Sequence, residues 1–172
     1  MQNTPNKQPT NSQIDNVDLQ ILSLLMENAQ MPYTEIAKKV FVSSGTIHVR
    51  MKKLTQMGVV KGSQLVVDPA KLGYDITAFL GIYLEKNSLY DSVAQQLEEI
   101  PEVTGLHYTT GIYSMFVKIM CRDTRHLQEV LHDKVQKVEG IQRTETFISL
   151  EESINRPVKV LSMPIDNEVM RQ

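Results

Sequence analysis

The segment that decides the fold is IAKKVFVSSGTIHVRMKKLTQMGVVKGSQLVV, which spans residues 36–67. It contains six Lys or Arg residues and no Asp or Glu, so it carries +6 in a chain whose formal net charge is −2. The rest of the chain therefore sums to −8. Positive charge concentrated in one part of an acidic protein is typical of a surface that contacts phosphates. From charge alone, a solvated basic face on an ordinary domain is an equal alternative.

The composition is that of an ordinary globular protein. The chain has 172 residues, of which 41% are hydrophobic and 22% charged, so it fits one domain or two small ones. No apolar run approaches the ~18 residues that span a bilayer. Residues 1–13 are polar, lack the apolar stretch of a signal peptide and are interpreted as a flexible arm. We predict a cytoplasmic protein without a membrane partner, and the lone Cys121 excludes an intrachain disulfide.

Three short helices are predicted before and within the basic segment. Asp15 and Asp18 have the spacing of a capping box and begin the first helix. Pro32 opens the second helix. Ser43 is a plausible N-cap for the third, which Gly58 ends.

The period of the apolar residues changes after the third helix and predicts a β-hairpin. The apolar runs Val59-Val60 and Leu65-Val66-Val67 flank four polar residues. Three helices followed by a hairpin form a winged helix-turn-helix. We assign this domain to residues 14–65, followed by a hinge at residues 66–74.

The second half of the chain follows a different plan. Its patterns run in the order strand, helix, strand, strand, helix, strand, which predicts a ferredoxin-like βαββαβ domain over residues 75–155. Ser88 and Asp91 resemble a capping box for the first of its helices, and Asp123 can cap the second. An irregular tail is predicted for residues 156–172. The predicted fold is therefore α+β, with an N-terminal winged helix-turn-helix domain and a C-terminal ferredoxin-like domain.

The third helix has the composition of a DNA recognition helix. Its inward residues are predicted to be Ile47, Met51 and Leu54, so its polar side chains point outward. A helix fits the major groove of B-DNA, and its exposed N-terminal side chains reach base edges. We therefore predict that the residues binding DNA are Ser43, Ser44, Thr46, His48, Arg50, Lys52, Lys53 and, after the helix, Lys61.

Several of these residues also have ordinary explanations. Capping alone would explain Ser43, and an exposed His48 is more often a plain surface residue unless the helix enters a groove. Arg50 either binds a phosphate or forms an ion pair with Glu35 inside the domain, and the sequence favours neither.

The same residues resemble the Lrp/AsnC (feast/famine) family of transcriptional regulators over about residues 14–152. The matching motifs are Asp15-x-x-Asp18-x-x-Ile21-Leu22, Glu35-Ile36-Ala37, Ile47-x-x-Arg50-Met51-Lys52-Lys53-Leu54 and Gly58-Val59-Val60. The resemblance implies a sequence-selective DNA-binding regulator that responds to an amino acid or another small metabolite. The partners it implies are double-stranded DNA and a homodimer that assembles to an octamer.

In the resembling family, the loop between the middle two strands of the second domain contributes to the effector site and commonly reads Gly-Asp-x-Asp. Here it reads Gly111-Ile112-Tyr113-Ser114, so both carboxylates that would accept hydrogen bonds from an ammonium group are replaced. An amino-acid effector and a different ligand, or none, are equal alternatives. The candidate lining residues are Thr109, Thr110, Gly111, Ile112, Tyr113, Ser114 and Thr146.

One face of the predicted sheet carries large apolar side chains although no helix covers it. A monomer seldom exposes such a patch, which predicts that two chains pair face to face. The residues expected on this face are Phe79, Tyr83, Phe116, Met120 and Phe147.

An enzyme on the same two-domain plan is the alternative from another class. A catalytic relative such as a haem-pathway decarboxylase would direct attention to His107, but an ordinary strand histidine is the favoured interpretation. The four histidines do not cluster at metal-ligand spacing, and the basic recognition helix favours a regulator. We therefore predict no enzymatic activity, no metal and no cofactor. A non-specific DNA-organising protein is a third alternative.

Overall fold

The computed structural model describes residues 14–162, which form two compact units. Residues 14–65 together with 155–162 make up the described part of the first unit, and residues 66–154 make up the second. Each unit has its own cluster of buried apolar side chains. The predicted flexible arm, residues 1–13, lies outside the described residues, as does the end of the predicted tail.

The first unit contains the three predicted helices, which are α1 (Asn16–Glu27), α2 (Tyr33–Val40) and α3 (Ser44–Gln56). The predicted capping box begins α1. The Asp18 N–H donates to the Asp15 carboxylate at 2.9 Å, and the Asp15 N–H donates to the Asp18 carboxylate at 3.1 Å. No helix within residues 14–162 has the length and apolar character needed to cross a membrane.

A sharp turn sets α3 against α2. Phe41 follows α2 with a φ of 56°, a left-handed conformation that commonly ends a helix but that bulky residues rarely adopt. Its ring is 93% exposed, so the ring contributes no packing within the unit. Where the three helices meet, each contributes one fully buried isoleucine. These residues are Ile21, Ile36 and Ile47.

The predicted β-hairpin after α3 is wrong for this chain, because residues 59–67 contain no strand. The N–H groups of Val59 and Val60 both donate to the Leu54 carbonyl, at 3.0 and 3.2 Å, and thus complete the end of α3. Beyond them, Val66 is 93% exposed. A two-stranded ribbon is marginally stable by itself, and two residues provide too little pairing to offset the helix-end bonds.

The second unit has the predicted βαββαβ order. Its elements are β1 (Ile76–Leu84), α4 (Tyr90–Glu98), β2 (Val103–Tyr108), β3 (Met115–Cys121), α5 (Thr124–Glu129) and β4 (Ile141–Ile148). The sheet order is β2-β3-β1-β4, and all three strand pairs are antiparallel. This arrangement confirms the α+β fold class with a ferredoxin-like second domain.

The two faces of the sheet differ as the alternating sequence predicts. One face packs against α4 and the helical segment around α5, and the side chains at its centre, on the middle strands β1 and β3, are fully buried. On β1 these side chains are Ala78, Leu80 and Ile82. The other face carries the large apolar residues predicted for an uncovered surface, and they are partly buried or exposed.

The helix caps of the second unit follow the prediction in one case and contradict it in the other. Asp123 caps α5 by accepting the N–H of His126 at 2.7 Å. The predicted Ser88 capping box is wrong, because Asn87–Leu89 forms a 3₁₀ turn and α4 begins after Leu89 without a side-chain cap. The N–H groups of Leu89 and Tyr90 instead donate within this turn, to the carbonyls of Lys86 and Asn87.

The segments that connect or leave the units contain short helical turns. The predicted hinge, residues 66–74, includes a 3₁₀ turn at Ala70–Leu72. The tail predicted as irregular includes another 3₁₀ turn at Val160–Ser162, which packs against α1. The described part of the tail therefore belongs to the first unit.

A nearly buried ion-pair network ties the start of β2 to the segment after α5. Glu102 accepts two hydrogen bonds of 2.7 Å from Lys134, which lies in a π-helical turn at Val130–Lys134. His126 Nε2 lies 3.1 Å from the same carboxylate, and His126 Nδ1 accepts the Arg122 N–H at 3.2 Å. Because Nδ1 accepts, Nε2 carries the proton and donates it to Glu102.

The network holds Glu102 in its charged form. Burial disfavours the charge, but the hydrogen bonds from Lys134, the backbone and His126 outweigh burial and lower the pKa of Glu102. A group whose pKa is lowered by folding stabilises the protein above its unfolded pKa. That contribution is lost as the pH falls through the folded pKa.

We expect Glu102→Gln to lower the free energy of unfolding by about 2 kcal/mol at pH 7, because it removes charge-assisted hydrogen bonds from a nearly buried site. In chemical denaturation, the difference from the wild type should shrink as the pH falls below the ordinary glutamate pKa of about 4.3 and through the lowered pKa of the folded state, where the wild-type carboxyl also takes up a proton. The exposed Glu98→Gln is the matched control. If Glu102→Gln and the wild type differed in free energy of unfolding by the same amount at pH 7 and at acidic pH, this account would be contradicted.

Candidate nucleic-acid interface

The recognition helix α3 has the predicted orientation. Ile47 and Leu54 are completely buried and Met51 is partly buried, which confirms the inward set. On the opposite side, Val49 is 70% exposed, and Lys52 is also exposed. A helix anchored on one side and exposed on the other can enter a DNA groove without losing its core.

The N-terminus of α3 is closed by the residue predicted to cap it. The Ser43 hydroxyl accepts the Thr46 N–H at 3.1 Å, and the two side-chain hydroxyls lie 2.9 Å apart. The Ser43 hydroxyl therefore already has two hydrogen-bonding contacts and the Thr46 hydroxyl one, although Ser43 stays exposed. Each can form a further hydrogen bond with DNA.

His48 is exposed but not isolated. Its ring packs edge-on against Tyr33 at the start of α2, with 4.6 Å between the ring centroids. The contact restricts the orientation of the imidazole on the outer side of α3. A base contact by His48 and the contacts predicted for Ser44 and Lys61 stay predictions.

Of the two alternatives for Arg50, the ion pair with Glu35 is not formed, because Glu35 lies 3.3 Å from Lys39 instead. Arg50 Nη1 lies 2.7 Å from the Asp15 carboxylate and 2.7 Å from the Asp18 carboxylate. Asp18 is fully buried, whereas the Asp15 side chain is 53% exposed. Arg50 therefore ties the recognition helix to the beginning of α1.

The two neighbouring lysines differ in their surroundings. Lys53 Nζ lies 3.9 Å from Asp18 Oδ2, so part of its charge faces the same buried carboxylate. Lys52 is exposed and forms no ion pair with any residue in the range 14–162. Lys52 is consequently the better candidate for a phosphate contact.

The ion pair stabilises the charged forms of its members. Burial of the Asp15 carboxyl disfavours its charge, but the Asp18 backbone N–H and Arg50 outweigh burial and lower the pKa of Asp15. The hydrogen bonds to Asp18 and Asp15 raise the pKa of Arg50. Because folding lowers the pKa of Asp15, the pair stabilises the fold at neutral pH and weakens in acid.

Sequence reasoning missed the aspartates as partners of Arg50, although a signal was present. Asp18 precedes the buried Ile21 by three residues and therefore lies on the same face of α1. A carboxylate on a buried face requires a cation. The alternative of an ion pair with Glu35 on α2 does not take this requirement into account.

In the second unit, the candidate effector loop folds onto the uncovered face of the sheet. A Cβ atom on Gly81 would lie 2.5 Å from the Tyr113 ring, so the absence of a side chain there makes room for the ring. The Tyr113 hydroxyl lies 2.8 Å from Glu145, and the Tyr83 hydroxyl lies 3.2 Å from it. The bond to Glu145 raises the pKa of Tyr113, since ionisation would remove the donated proton.

The remaining candidate lining residues do not form one cluster. The Thr109 hydroxyl donates a hydrogen bond to the Tyr113 carbonyl, and Ile112 is 73% exposed. Thr146 pairs with Leu80 and so shares the helix-covered face, on the opposite side from Tyr113. The structure therefore does not bring Thr146 to the loop within one chain.

Glu145 is the residue of this region that the sequence analysis did not single out. It pairs across the sheet with Gly81 and lies beside the tyrosines, and Arg143 packs 3.9 Å from the centre of the Tyr83 ring. The alternation along β4 places Glu145 on the uncovered face, but contact with Tyr113 depends on how the loop folds.

We expect Gly81→Ala to lower the free energy of unfolding by about 1 to 3 kcal/mol, because the new methyl group displaces the Tyr113 ring. Urea unfolding followed by circular dichroism measures this loss. In the Tyr113→Ala background, the same substitution should cost much less. Gly105→Ala is the control, since its Cβ would lie 3.7 Å from its nearest neighbour. Equal losses of unfolding free energy in both backgrounds would show that the position of the Tyr113 ring does not depend on Gly81.

Comparison with known protein families assigns both halves of the chain. Residues 14–61 match the family described as winged helix-turn-helix DNA-binding. Residues 77–158 match the family described as Lrp/AsnC ligand binding domain.

Curated proteins with the same organisation include regulators from bacteria and archaea. The regulatory protein AsnC of Escherichia coli K12 is 48% identical over 146 residues, which cover 85% of this chain and 96% of that protein. The HTH-type transcriptional regulator FL11 of Pyrococcus furiosus is 38% identical over 149 residues, which cover 85% and 97%.

Solved structures agree with this result. The structure of E. coli AsnC matches with a TM-score of 0.81 and 47% identity, over 85% of this chain and 98% of that one. The regulator NMB0573 of Neisseria meningitidis, solved as an L-Met complex, matches with a TM-score of 0.80 over 90% and 99%. Its 20% identity shows the shared fold alone.

Proposed function

Because the chain belongs to the Lrp/AsnC family, it is a DNA-binding transcriptional regulator, and we propose that it binds DNA through α3 as a homodimer. The observation that carries the proposal is the geometry of α3. Its apolar side, which includes Ile47 and Leu54, is buried. Ser43 caps its start, and its outer side presents Lys52. A two-fold dimer presents two such helices to successive major grooves.

The proposed contacts divide between bases and phosphates. Ser44, Thr46 and His48 lie in the first half of α3, where side chains reach base edges. Lys52 and the exposed Lys61 lie farther along the chain and supply charge for phosphates. Ser43 contributes a hydroxyl at the start of the helix, where backbone N–H groups also favour a phosphate.

The uncovered face of the sheet supports the proposed dimer. Phe79 stacks on Phe116 with 5.6 Å between ring centroids, and Phe147 packs 6.4 Å from Phe116 while remaining 44% exposed. A continuous aromatic surface of this kind is stabilised when a second copy covers it. We propose that such dimers assemble further to octamers.

We also propose that an amino acid or another small metabolite binds at the Gly111–Ser114 loop of the second unit. The match of residues 77–158 to a ligand-binding domain supports this proposal. Glu145 offers a carboxylate close to Tyr113, in place of the two acidic residues missing from the loop. A ligand that changes the position of Tyr113 would alter the aromatic face and thereby couple metabolite concentration to assembly.

A catalytic role has less support. The curated relatives that match the chain over most of their length are named as regulators. His107, the residue of interest in the catalytic alternative, is an exposed residue of β2. As its target is DNA, we propose that the protein acts in the cytoplasm.

We expect Lys52→Ala to weaken binding to all DNA sequences to a similar degree. The slope of log affinity against log salt concentration should become shallower by about one unit, since one phosphate contact is lost. Titration of labelled duplexes by fluorescence anisotropy at several salt concentrations measures the slope. Lys86→Ala, which removes an exposed lysine of the second unit, is the control.

If the salt slope of Lys52→Ala equalled that of the wild type, Lys52 would not contact a DNA phosphate. Absence of binding by the wild type at low salt would overturn the DNA-binding assignment itself. Selection from a randomised duplex pool separates the two modes of binding. A consensus supports a sequence-selective regulator, whereas its absence supports a DNA-organising protein.

We expect Phe116→Glu to convert the assembled protein to monomers, because it places a charge in the centre of the proposed aromatic interface. Sedimentation velocity measures the change. Phe41→Glu is the matched control, since the Phe41 ring is 93% exposed in the first unit. Retention of the wild-type sedimentation coefficient by Phe116→Glu would exclude the uncovered face as the dimer interface.

A further inference from the structure

An acidic side chain lies within the basic surface of the first unit. Asp15 lines a surface hollow of about 610 Å³ together with the capping residue Ser43 and with Gly45, Thr46 and Val49 from the first half of α3. Its side chain is 53% exposed. Any phosphate that approaches this part of α3 therefore meets a carboxylate, although residues 36–67 contain none.

Arg50 binds Asp15 through a single nitrogen atom, so most of the N–H groups of the Arg50 guanidinium remain unused. Nη1 contacts both Asp15 and Asp18. The other two guanidinium nitrogen atoms, Nη2 and Nε, form no hydrogen bond with any residue between positions 14 and 162. Arginine forms two parallel bonds to a phosphate when its fork is accessible, and the Arg50 side chain is 25% exposed.

The two carboxylates differ in how easily they can be replaced. Asp18 is fully buried and also belongs to the capping box of α1, so its separation from Arg50 would leave a buried charge whose remaining cation, Lys53, lies 3.9 Å away. Asp15 is half exposed, and water can solvate it after separation. Exposed ion pairs contribute little net free energy, so an incoming anion can take its place.

We propose that Asp15 is a built-in competitor for DNA: a backbone phosphate displaces Asp15 from Arg50, while Asp18 continues to hold the guanidinium in position. The proposal rests on the proposed function of α3 and adds a regulation of that site. In the free protein, Asp15 reduces the positive charge offered to any polyanion. In the complex with DNA, the phosphate that binds Arg50 replaces its contact with Asp15. This new contact offsets the free energy needed to separate the two side chains.

Asp15→Asn tests the competition directly. Asparagine retains the side-chain oxygen that caps α1 and nearly the same shape, but it removes the charge. At about 0.1 M salt, we expect affinity for duplex DNA to increase about three- to tenfold, with a salt slope steeper by up to about one unit. Glu27→Gln is the matched control, because it changes the net charge equally at the other end of α1 and should alter affinity less than twofold.

The outcomes separate this inference from the DNA-binding assignment. If the wild type binds DNA and Asp15→Asn binds no more tightly than Glu27→Gln, the competition is overturned. If the wild type fails to bind DNA at low salt, the proposed function fails first. Asp18→Asn should instead weaken DNA binding and lower the melting temperature, since it removes the buried negative charge that positions Arg50.

NMR provides a test of displacement without a substitution. In wild-type protein, saturating duplex should shift the side-chain carboxyl ¹³C resonance of Asp15 and the guanidinium ¹⁵N resonances of Arg50, while the Asp18 carboxyl changes less. Unchanged Asp15 and Arg50 resonances at saturation would show that the pair survives in the complex and would exclude displacement.

Discussion

The ion pair between Arg50 and the aspartates at the start of α1 links the recognition helix to the rest of the first unit. Apolar contacts hold α3 against α1 and α2, but such contacts are non-directional and tolerate small rotations. Two hydrogen bonds of 2.7 Å, one to a carboxylate without solvent contact, restrict the rotation of α3 about its axis. The cost is that part of the positive charge is directed inward, so fewer cations than the sequence suggests face solvent.

The second unit uses a comparable arrangement on the uncovered face of its sheet. Gly81 makes room for the Tyr113 ring, and Glu145 fixes its hydroxyl. The ring belongs both to the loop proposed to bind an effector and to the aromatic surface proposed to pair with a second copy. Any ligand that moves this ring therefore acts on the assembly surface directly, without a signal that travels through the core.

Most elements were predictable because their signals are local. The capping box at Asp15 and the buried positions of α3 depend on residues a few positions apart, and the alternation in β1 is also local. The hairpin after α3 was predicted wrongly because its strand pattern competes with hydrogen bonds to the Leu54 carbonyl. The Ser88 capping box was predicted wrongly because residues 87–89 form a 3₁₀ turn and α4 begins only at Tyr90.

The amino-acid sequence was sufficient to specify the two-domain α+β plan, the outward face of α3 and the family, since these follow from periodicity and motif order. The fold had to be known before the partners of Arg50, the position of Tyr113 over Gly81 and the separation of Thr146 from the loop became evident. Arg50 is 35 residues from Asp15, and Tyr113 is 32 residues from Glu145. At such separations, sequence spacing gives no distance, and close packing selects which charged and aromatic groups meet.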